Sequence, residues 1–498
     1  MILIIFLATL LLAYLITLSR QKRGLPPGPK PFPLIGNVTQ LPTVRSWFTY
    51  TNWTRVYNSP VIYANALGQS LLIVNGLKDA EELLENRALI TSDRPEIPLV
   101  HMIGWSKQTF ILGYGDTWRK HRRILHKNMR HEVVPQCDAL MSEKALRLLH
   151  NLAQTPEGFF RHCKIYAVSI TLDLLYGYDI GPNGDPSFDL AERVLHRTNR
   201  ALQPGVFAVN SFPMLKHLPR WFPGAGFHDF ADEVKAAQAE MRDKPFDFAK
   251  TNYINGVGRP SFVGKWLQEE GTTEEQEDLL SNLALGIYGA AFETTAAALT
   301  SLFHVLVTHP EVQLKAQKEI SRVIGEDRLP TLQDRAHLPY LEAVYREILR
   351  WRPPLPLNVP HRIMGEDSYK GYLIPSGTVI IANIWAMTHN ESIYPEPEVF
   401  RPERFLNLDG SLNDDSRVFA YGFGRRICPG KHLASASFWL AMAQVLASFH
   451  VSPAKDASGK EIEVTKDHEY SDELISAPVE FECSIKPRRA LEEVLGAE

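Results

Sequence analysis

A chain of 498 residues, 45% hydrophobic and 22% charged, is long enough to bury a large core and has the balance of an ordinary globular protein. Its 53 basic and 57 acidic residues leave a net charge of −4, which argues against a nucleic-acid-binding surface. Four scattered cysteines, Cys137, Cys163, Cys428 and Cys483, form no CxxC pair, so neither a zinc site nor a disulfide framework is indicated and a reducing compartment fits best.

The chain opens with an uncharged apolar run from Met1 to Leu18, followed by Arg20, Lys22 and Arg23. Such a run is near the lower limit for a membrane span, roughly 17–25 residues. Positive charge arrives only after it, the reverse of a cleaved signal peptide, so residues 1–19 are expected to form a retained transmembrane anchor. The positive-inside rule then puts the bulk of the chain on the cytosolic side. Residues 20–37 are basic and then proline-rich, with five prolines in GLPPGPKPFPLIGN, and predict a stiff extended hinge rather than a helix. No repeat, linker or composition break follows, so residues 38–498 are read as one large domain.

Helical patterns dominate that domain. A pattern from about Glu277 to Thr308 is apolar nearly all round and predicts a central buried helix. PEVQLKAQKEISRVIGE repeats apolar residues on one face from Pro310 and stops at Gly325. LPYLEAVYREILRWRPP does the same with Leu341, Val344 and Ile348 and is halted by Pro353 and Pro354. Strand signals are fewer: YLIPSGTVIIAN predicts a hairpin, Tyr372–Ile374 with Thr378–Ala382, across a Pro-Ser-Gly turn. The expected fold class is mainly α with a minor β part.

The chemistry concentrates in YGFGRRICPGKH, Tyr421 to His432. Gly422 and Gly424 leave room for close backbone approach, and Pro429 suits the first turn of the apolar helix that follows. Cys428 therefore belongs at or beside a helix N-terminus, where exposed N–H groups, with Arg425 and Arg426 nearby, favour a thiolate. A thiolate in such a place is a nucleophile or a metal ligand. A cysteine phosphatase would need an arginine where Ala434 stands, and the glycines match no phosphate loop. A papain-like nucleophile would need a histidine that spacing alone does not locate, and a buried inert cysteine would leave the arginines unexplained.

Tyr421, Gly424, Arg426, Cys428 and Gly430 resemble the haem-ligand signature FxxGxRxCxG of the cytochrome P450 family, with tyrosine in place of the usual phenylalanine. Three more family motifs occur in order, so the resemblance covers nearly the whole chain. Glu347 and Arg350 give the ExxR pair, and Arg404 in FRPERF would complete its buried structural triad. Ala290, Ala291, Phe292, Glu293, Thr294 and Thr295 match the oxygen-binding helix motif, with Ala291 where glycine is usual. Trp118 and Arg122 match the WxxxR helix, and VPHRIMGED resembles the strand that contacts a haem propionate, with His361 the better candidate and Arg362 the runner-up.

The resemblance implies the triangular α-rich prism with a small β-rich lobe typical of the family, preceded here by the anchor. It implies haem b with the Cys428 thiolate as axial ligand, Arg426, Trp118, Arg122 and His361 as cofactor contacts, and Glu293 with Thr294 as the proton-delivering pair. It also implies a pocket built from apolar stretches containing Trp105, Phe110, Phe207, Ala290, Leu357, Val359 and Ile475. The Phe/Trp/Pro-rich stretch around Trp221 would dip into the membrane or pack in the core.

The implied activity is a monooxygenase that oxidises a lipophilic small molecule with dioxygen. No flavin or nicotinamide fingerprint is present, so electrons would come from a membrane-bound NADPH–cytochrome P450 reductase, with cytochrome b5 as an optional second donor. The texture resembles microsomal, secondary-metabolism members of fungi, with terpenoid, polyketide or alkaloid-type substrates and single-pass residence in the endoplasmic reticulum membrane. Two alternatives stand beside this: a haem-thiolate isomerase or dehydratase that needs no reductase, and a non-catalytic membrane haem protein.

Overall fold

The computed structural model describes residues 24–203, 205–466 and 469–488. The expected anchor, residues 1–19, and the basic start of the hinge lie outside the described residues.

Eleven longer helices among the described residues build the body. They are α1 (Ser46–Tyr57), α2 (Asp116–Met129), α3 (Asp138–Gln154), α4 (Phe159–Tyr176), α5 (Pro186–Leu202), α6 (Phe227–Asn255), α7 (Phe262–Glu270), α8 (Glu274–Thr308), α9 (Pro310–Ile324), α10 (Pro339–Trp351) and α11 (Lys431–Ser448). α8 is the axis. Leu299, Leu302, Phe303 and Leu306 on it pack with Leu148 and Leu149 of α3, Tyr166 of α4, Val344 and Ile348 of α10, and Trp439 and Leu440 of α11 in one buried cluster. Its first turn starts three residues before the apolar pattern does, because Thr273 and Gln276 form a reciprocal capping box ahead of Glu274, Glu275 and Glu277. Among the described residues α8 is the one helix long and apolar enough to cross a membrane, and most of it is buried inside the protein.

The β part is small. β1 (Val61–Ala66) and β2 (Gln69–Val74) pair antiparallel, β2 runs parallel to β6 (Val379–Ala382), and β3 (His361–Arg362) closes the other edge of β6. β4 (Asp367–Tyr369) pairs with β5 (Tyr372–Ile374), and β7 (Phe449–Pro453) with β8 (Cys483–Pro487). The hairpin expected between Tyr372–Ile374 and Thr378–Ala382 is therefore corrected. β5 turns back on β4 through Lys370 and Gly371, both at positive φ, a two-residue turn whose twist matches a hairpin. The Pro-Ser-Gly turn instead carries the chain from that hairpin into the four-stranded sheet.

The proline-rich segment is extended, as its composition predicts, but it is docked rather than free. Tyr63 donates its N–H to Pro27, Leu373 donates to Gly24, and Asn37 is buried with its side chain bridging Pro29 and Asn65. Gly28 lies so close to β1 that a Cβ there would meet the Tyr63 carbonyl at 1.9 Å.

The segment from α10 to the cysteine is pinned by one buried carboxylate. Glu347, with no exposed surface, receives Arg350 Nε at 2.6 Å and Nη2 at 2.8 Å, Arg404 Nε at 3.1 Å and the Arg401 N–H at 2.8 Å. Replacing Glu347 with Ala leaves two buried guanidiniums uncompensated, and we expect a loss of about 3–5 kcal/mol. Thermal unfolding of the purified variant checks this, with Glu347→Gln expected to lose less.

Candidate active site

A cavity of about 290 Å³ lies between α8 and the turn that precedes α11. Cys428, Gly430 and Tyr421 form part of its wall, and Ala290, Ala291, Thr294 and Thr295 of α8 form another. Phe110, Trp118, Arg122, Val359 and Arg426 line it as well.

Cys428 sits just ahead of α11, which begins at Lys431 rather than at Pro429. Its N–H donates to Tyr421 O at 2.8 Å, and the Gly430 N–H faces its sulfur. Burial pushes the thiol up, while Gly430, Arg122 and Lys431 pull it down without prevailing. The expected preference for thiolate is thus not met by the protein alone. Desolvation outweighs the helix N-terminus, and a metal cation on the sulfur would reverse the balance.

The glycines serve the chain's own packing more than the cavity. Gly424 has a φ of +53°, and a Cβ there would lie 2.0 Å from the Leu84 carbonyl oxygen. Gly422, at +75°, lies against Asn358. Gly430 is the glycine of this turn that lines the cavity.

A cluster of cations gathers at one side. Arg426 donates to Ser92 O, Thr109 O and Leu112 O at 2.7, 3.1 and 2.7 Å and lies 4.5 Å from the Trp118 ring centroid. Arg122 donates to Ile427 O at 2.8 Å, which ties α2 to the cysteine turn. Arg94 donates to Phe110 O, Val359 O and Pro360 O at 2.9, 2.7 and 2.6 Å. Among the described residues none of the three forms an ion pair with a carboxylate, and burial lowers the affinity of each for its proton. Arg426 is pushed down to about 10.

His361 is buried behind them. Its Nδ1 bonds the Thr91 carbonyl at 2.9 Å, while Nε2 has no partner. Burial and the Arg94 charge hold the ring neutral. Arg362, the runner-up, is engaged elsewhere, donating from Nε to Asp93 at 2.8 Å. Cations held on backbone carbonyls fit a group that brings its own carboxylates, and beside such a group the unpartnered His361 Nε2, an acceptor while the ring is neutral, would take up a proton and donate. A thiol whose burial goes uncompensated fits the metal of the same group.

On α8, Thr294 donates its hydroxyl to Ala290 O at 2.8 Å and faces the cavity. Glu293 does not reach the wall. Its two oxygens accept from Asn199 Nδ2 at 3.0 and 2.9 Å on α5, on another face of the helix. Burial raises this carboxyl to about 7, against the pull of Asn199.

Of the expected pocket residues, Phe110, Ala290 and Val359 line the cavity, and four do not. Trp105 is buried behind Phe110, 6.0 Å away between ring centroids, and closes on Gly289. Phe207 packs on Phe230 at 4.8 Å. Leu357 packs in the small cluster of Tyr50 and Trp53, and Leu355 takes its place in the wall. Ile475 only accepts a hydrogen bond at its carbonyl from Ser471. Sequence reasoning missed Arg94, which nothing in its local pattern marks beyond the Pro95 that follows, and Leu125, Met129 and Ile170, whose helical periodicity signals only burial.

A helical body with a few small sheets, enclosing a cysteine-floored cavity rimmed by unpaired arginines, defines a haem-thiolate protein. The cytochrome P450 family model matches residues 26–473. Cytochrome P450 monooxygenase ple1 of Rhodocybe pseudopiperita is 40% identical over 497 residues, covering 98% of this chain and 94% of its own. Cytochrome P450 monooxygenase claR of Ampulloclitocybe clavipes is 38% identical, covering 95% and 88%, and ppsD of Aspergillus oryzae is 37% identical, covering 94% and 90%. The chain belongs to the cytochrome P450 family. It is an oxidoreductase, a haem-thiolate monooxygenase that uses haem b with a cysteine thiolate axial ligand, a redox partner and a lipophilic substrate.

Glu293 gives a pH test. Its carboxyl favours the neutral form in the folded protein, raised from 4.5 to about 7, so its charged form opposes folding. Its contribution is most favourable below 4.5 and declines as pH rises towards about 7. We expect Glu293→Gln to gain in Tm relative to the parent as pH rises through that window, read from paired melting curves. A constant difference would mean that the carboxyl is not buried in its charged form.

Proposed function

We propose that Cys428 is the axial ligand, that Arg94, Arg122, Arg426 and His361 hold the haem carboxylates beside Trp118, and that Thr294 with Glu293 handles the protons of oxygen activation. The supporting observation is that Cys428 and Thr294 line one cavity whose arginines, among the described residues, donate to backbone carbonyls and form no ion pair with a carboxylate. The bound haem supplies the oxidising chemistry, and electron donation from a thiolate favours cleavage of the O–O bond.

The chain's own groups do the rest. The Gly430 N–H and the Arg122 charge stabilise the thiolate form. The Thr294 hydroxyl gives its own hydrogen to the Ala290 carbonyl, so on the cavity side Oγ offers lone pairs that can accept a hydrogen bond from a proton carrier. Glu293, with its carboxyl near 7, can both give and regain a proton at neutral pH. Phe110, Ile287, Ala290, Ala291, Leu355 and Val359 offer an apolar wall that excludes water and suits a lipophilic substrate.

At the level of the cell we infer a single-pass enzyme of the endoplasmic reticulum membrane, with residues 1–19 as anchor, 20–37 as hinge and 38–498 as the cytosolic catalytic domain. Its electrons would come from NADPH–cytochrome P450 reductase, with cytochrome b5 as an optional donor. Exposed Arg119, Arg123, Lys127 and Arg425, on α2 and the cysteine turn, suit docking of an acidic partner. The apolar wall suits a lipophilic substrate, and with fungal monooxygenases among the relatives we infer secondary metabolism, with a terpenoid, polyketide or alkaloid-type molecule as the substrate to test.

Replacing Cys428 with Ala should abolish the thiolate-type Soret band of the reduced carbonyl complex, and retention of that band would refute the ligand assignment. Thr294→Ala should keep the band but lower product formed per NADPH consumed by about 10²-fold, the scale of a lost proton-transfer group. Product analysis alongside NADPH oxidation reads this.

A further inference from the structure

Tyr421 carries a polar atom that the reaction as described does not use. Its ring lines the cavity and its carbonyl accepts the Cys428 N–H at 2.8 Å. Its hydroxyl is 3.0 Å from Tyr345 Oη on α10. Arg335 donates from Nη1 to Ser435 Oγ at 3.0 Å, lies 4.8 Å from the centre of the Tyr345 ring, and pairs through Nε with Glu342 at 2.8 Å. A line of contacts therefore runs from a guanidinium, across the ring and hydroxyl of Tyr345 on α10, to the residue whose backbone holds the cysteine.

Either hydroxyl of the tyrosine pair could donate, and the Arg335 charge against the Tyr345 ring makes that phenol the better donor, so Tyr345 can give its hydrogen to Tyr421. Hydroxyl dipoles so aligned carry the positive end of the Arg335 field towards the cysteine turn, and chained hydrogen bonds polarise one another. A phenylalanine at 421 would fill the same volume and carry none of this.

We propose that the Tyr421–Tyr345–Arg335 line is a positioning relay for the cysteine ligand. It fixes the turn that bears Cys428 against α10, and it stabilises negative charge on the sulfur, weakening donation from sulfur to the bound group. Groups around a ligand sulfur set the reduction potential in this way. The proposal rests on Cys428 being the axial ligand, and Tyr421 and its partners act through that residue.

The test uses the full-length haem-loaded protein and its Tyr421→Phe, Tyr345→Phe and doubly substituted forms. Midpoint potentials of the haem couple are measured by spectroelectrochemical titration, beside the reduced carbonyl spectrum and its decay on warming. We expect Tyr421→Phe to load haem and show the thiolate-type band, with a more negative midpoint potential. That band should decay about five-fold faster, the scale of one lost hydrogen bond. Tyr345→Phe should shift the potential in the same direction, and the double form should shift it no further than the larger single change. If Tyr345→Phe does not load haem, Arg335→Gln removes the charge from the other end of the line.

An unmoved potential in Tyr421→Phe, or single shifts that simply add, would overturn the relay. Absence of the thiolate-type band from the parent protein would instead sink the ligand assignment, so the two failures are distinct.

Discussion

Glu347 is a carboxylate with no exposed surface, and such a group is tolerated only when donors surround it. Arg350 and Arg404 supply three of them and the Arg401 backbone a fourth. The arginines' remaining donors end on the carbonyls of Thr388, Pro395, Pro397 and Val399. One buried charge therefore sets the path of the chain from 388 to 404, an irregular stretch with little secondary structure to hold it. The same helix carries Arg346, which grips the Asp415 carbonyl, and Tyr345, which meets Tyr421. The wall that bears Cys428 inherits its position from α10 as much as from α11.

Three separate features around the cavity are unsatisfied in the same sense. Among the described residues, buried Arg94 and half-buried Arg122 and Arg426 form no ion pair with a carboxylate, the His361 Nε2 is buried without a partner, and the Cys428 thiol is held up by desolvation. Carboxylates beside the first two and a metal beside the third would reverse each shift. One planar group with two carboxylates and a central metal supplies both. A protein built around such a deficit gains stability when the group binds, because the group binds the folded state alone.

The long helices were legible because periodicity and caps agree with burial: α9 and α10 stop where Gly325 and the Pro353–Pro354 pair say they should. The β part was not, since the hairpin was decided by positive φ at Lys370 and Gly371, a feature that a Lys-Gly pair signals only weakly beside Pro-Ser-Gly. Motif spacing named the residues around the cysteine, yet Arg94 escaped because a lone arginine before a proline looks like any loop residue. Pocket membership was the least readable part. Trp105, Phe207 and Leu357 are as apolar as the true wall, and whether an apolar residue faces a cavity or a neighbour depends on packing that no local pattern encodes.

Glu293 and Thr294 illustrate why adjacency in sequence is not adjacency in chemistry. Successive helical residues point about 100° apart, so the threonine meets the cavity while the carboxylate meets Asn199 on α5. On the proposed roles, a proton from Glu293 would have to travel around the helix to reach the face where Thr294 lines the cavity. Asn199 lies three residues before the end of α5, and the following segment is tied to that end by Asn210, which donates to the Ala201 carbonyl. Any displacement of α5 therefore displaces the amide that holds Glu293, and its two hydrogen bonds lower the carboxyl against the effect of burial. Loosening them raises the carboxyl further and favours its neutral form, so the geometry of α5 and the protonation of Glu293 are one equilibrium.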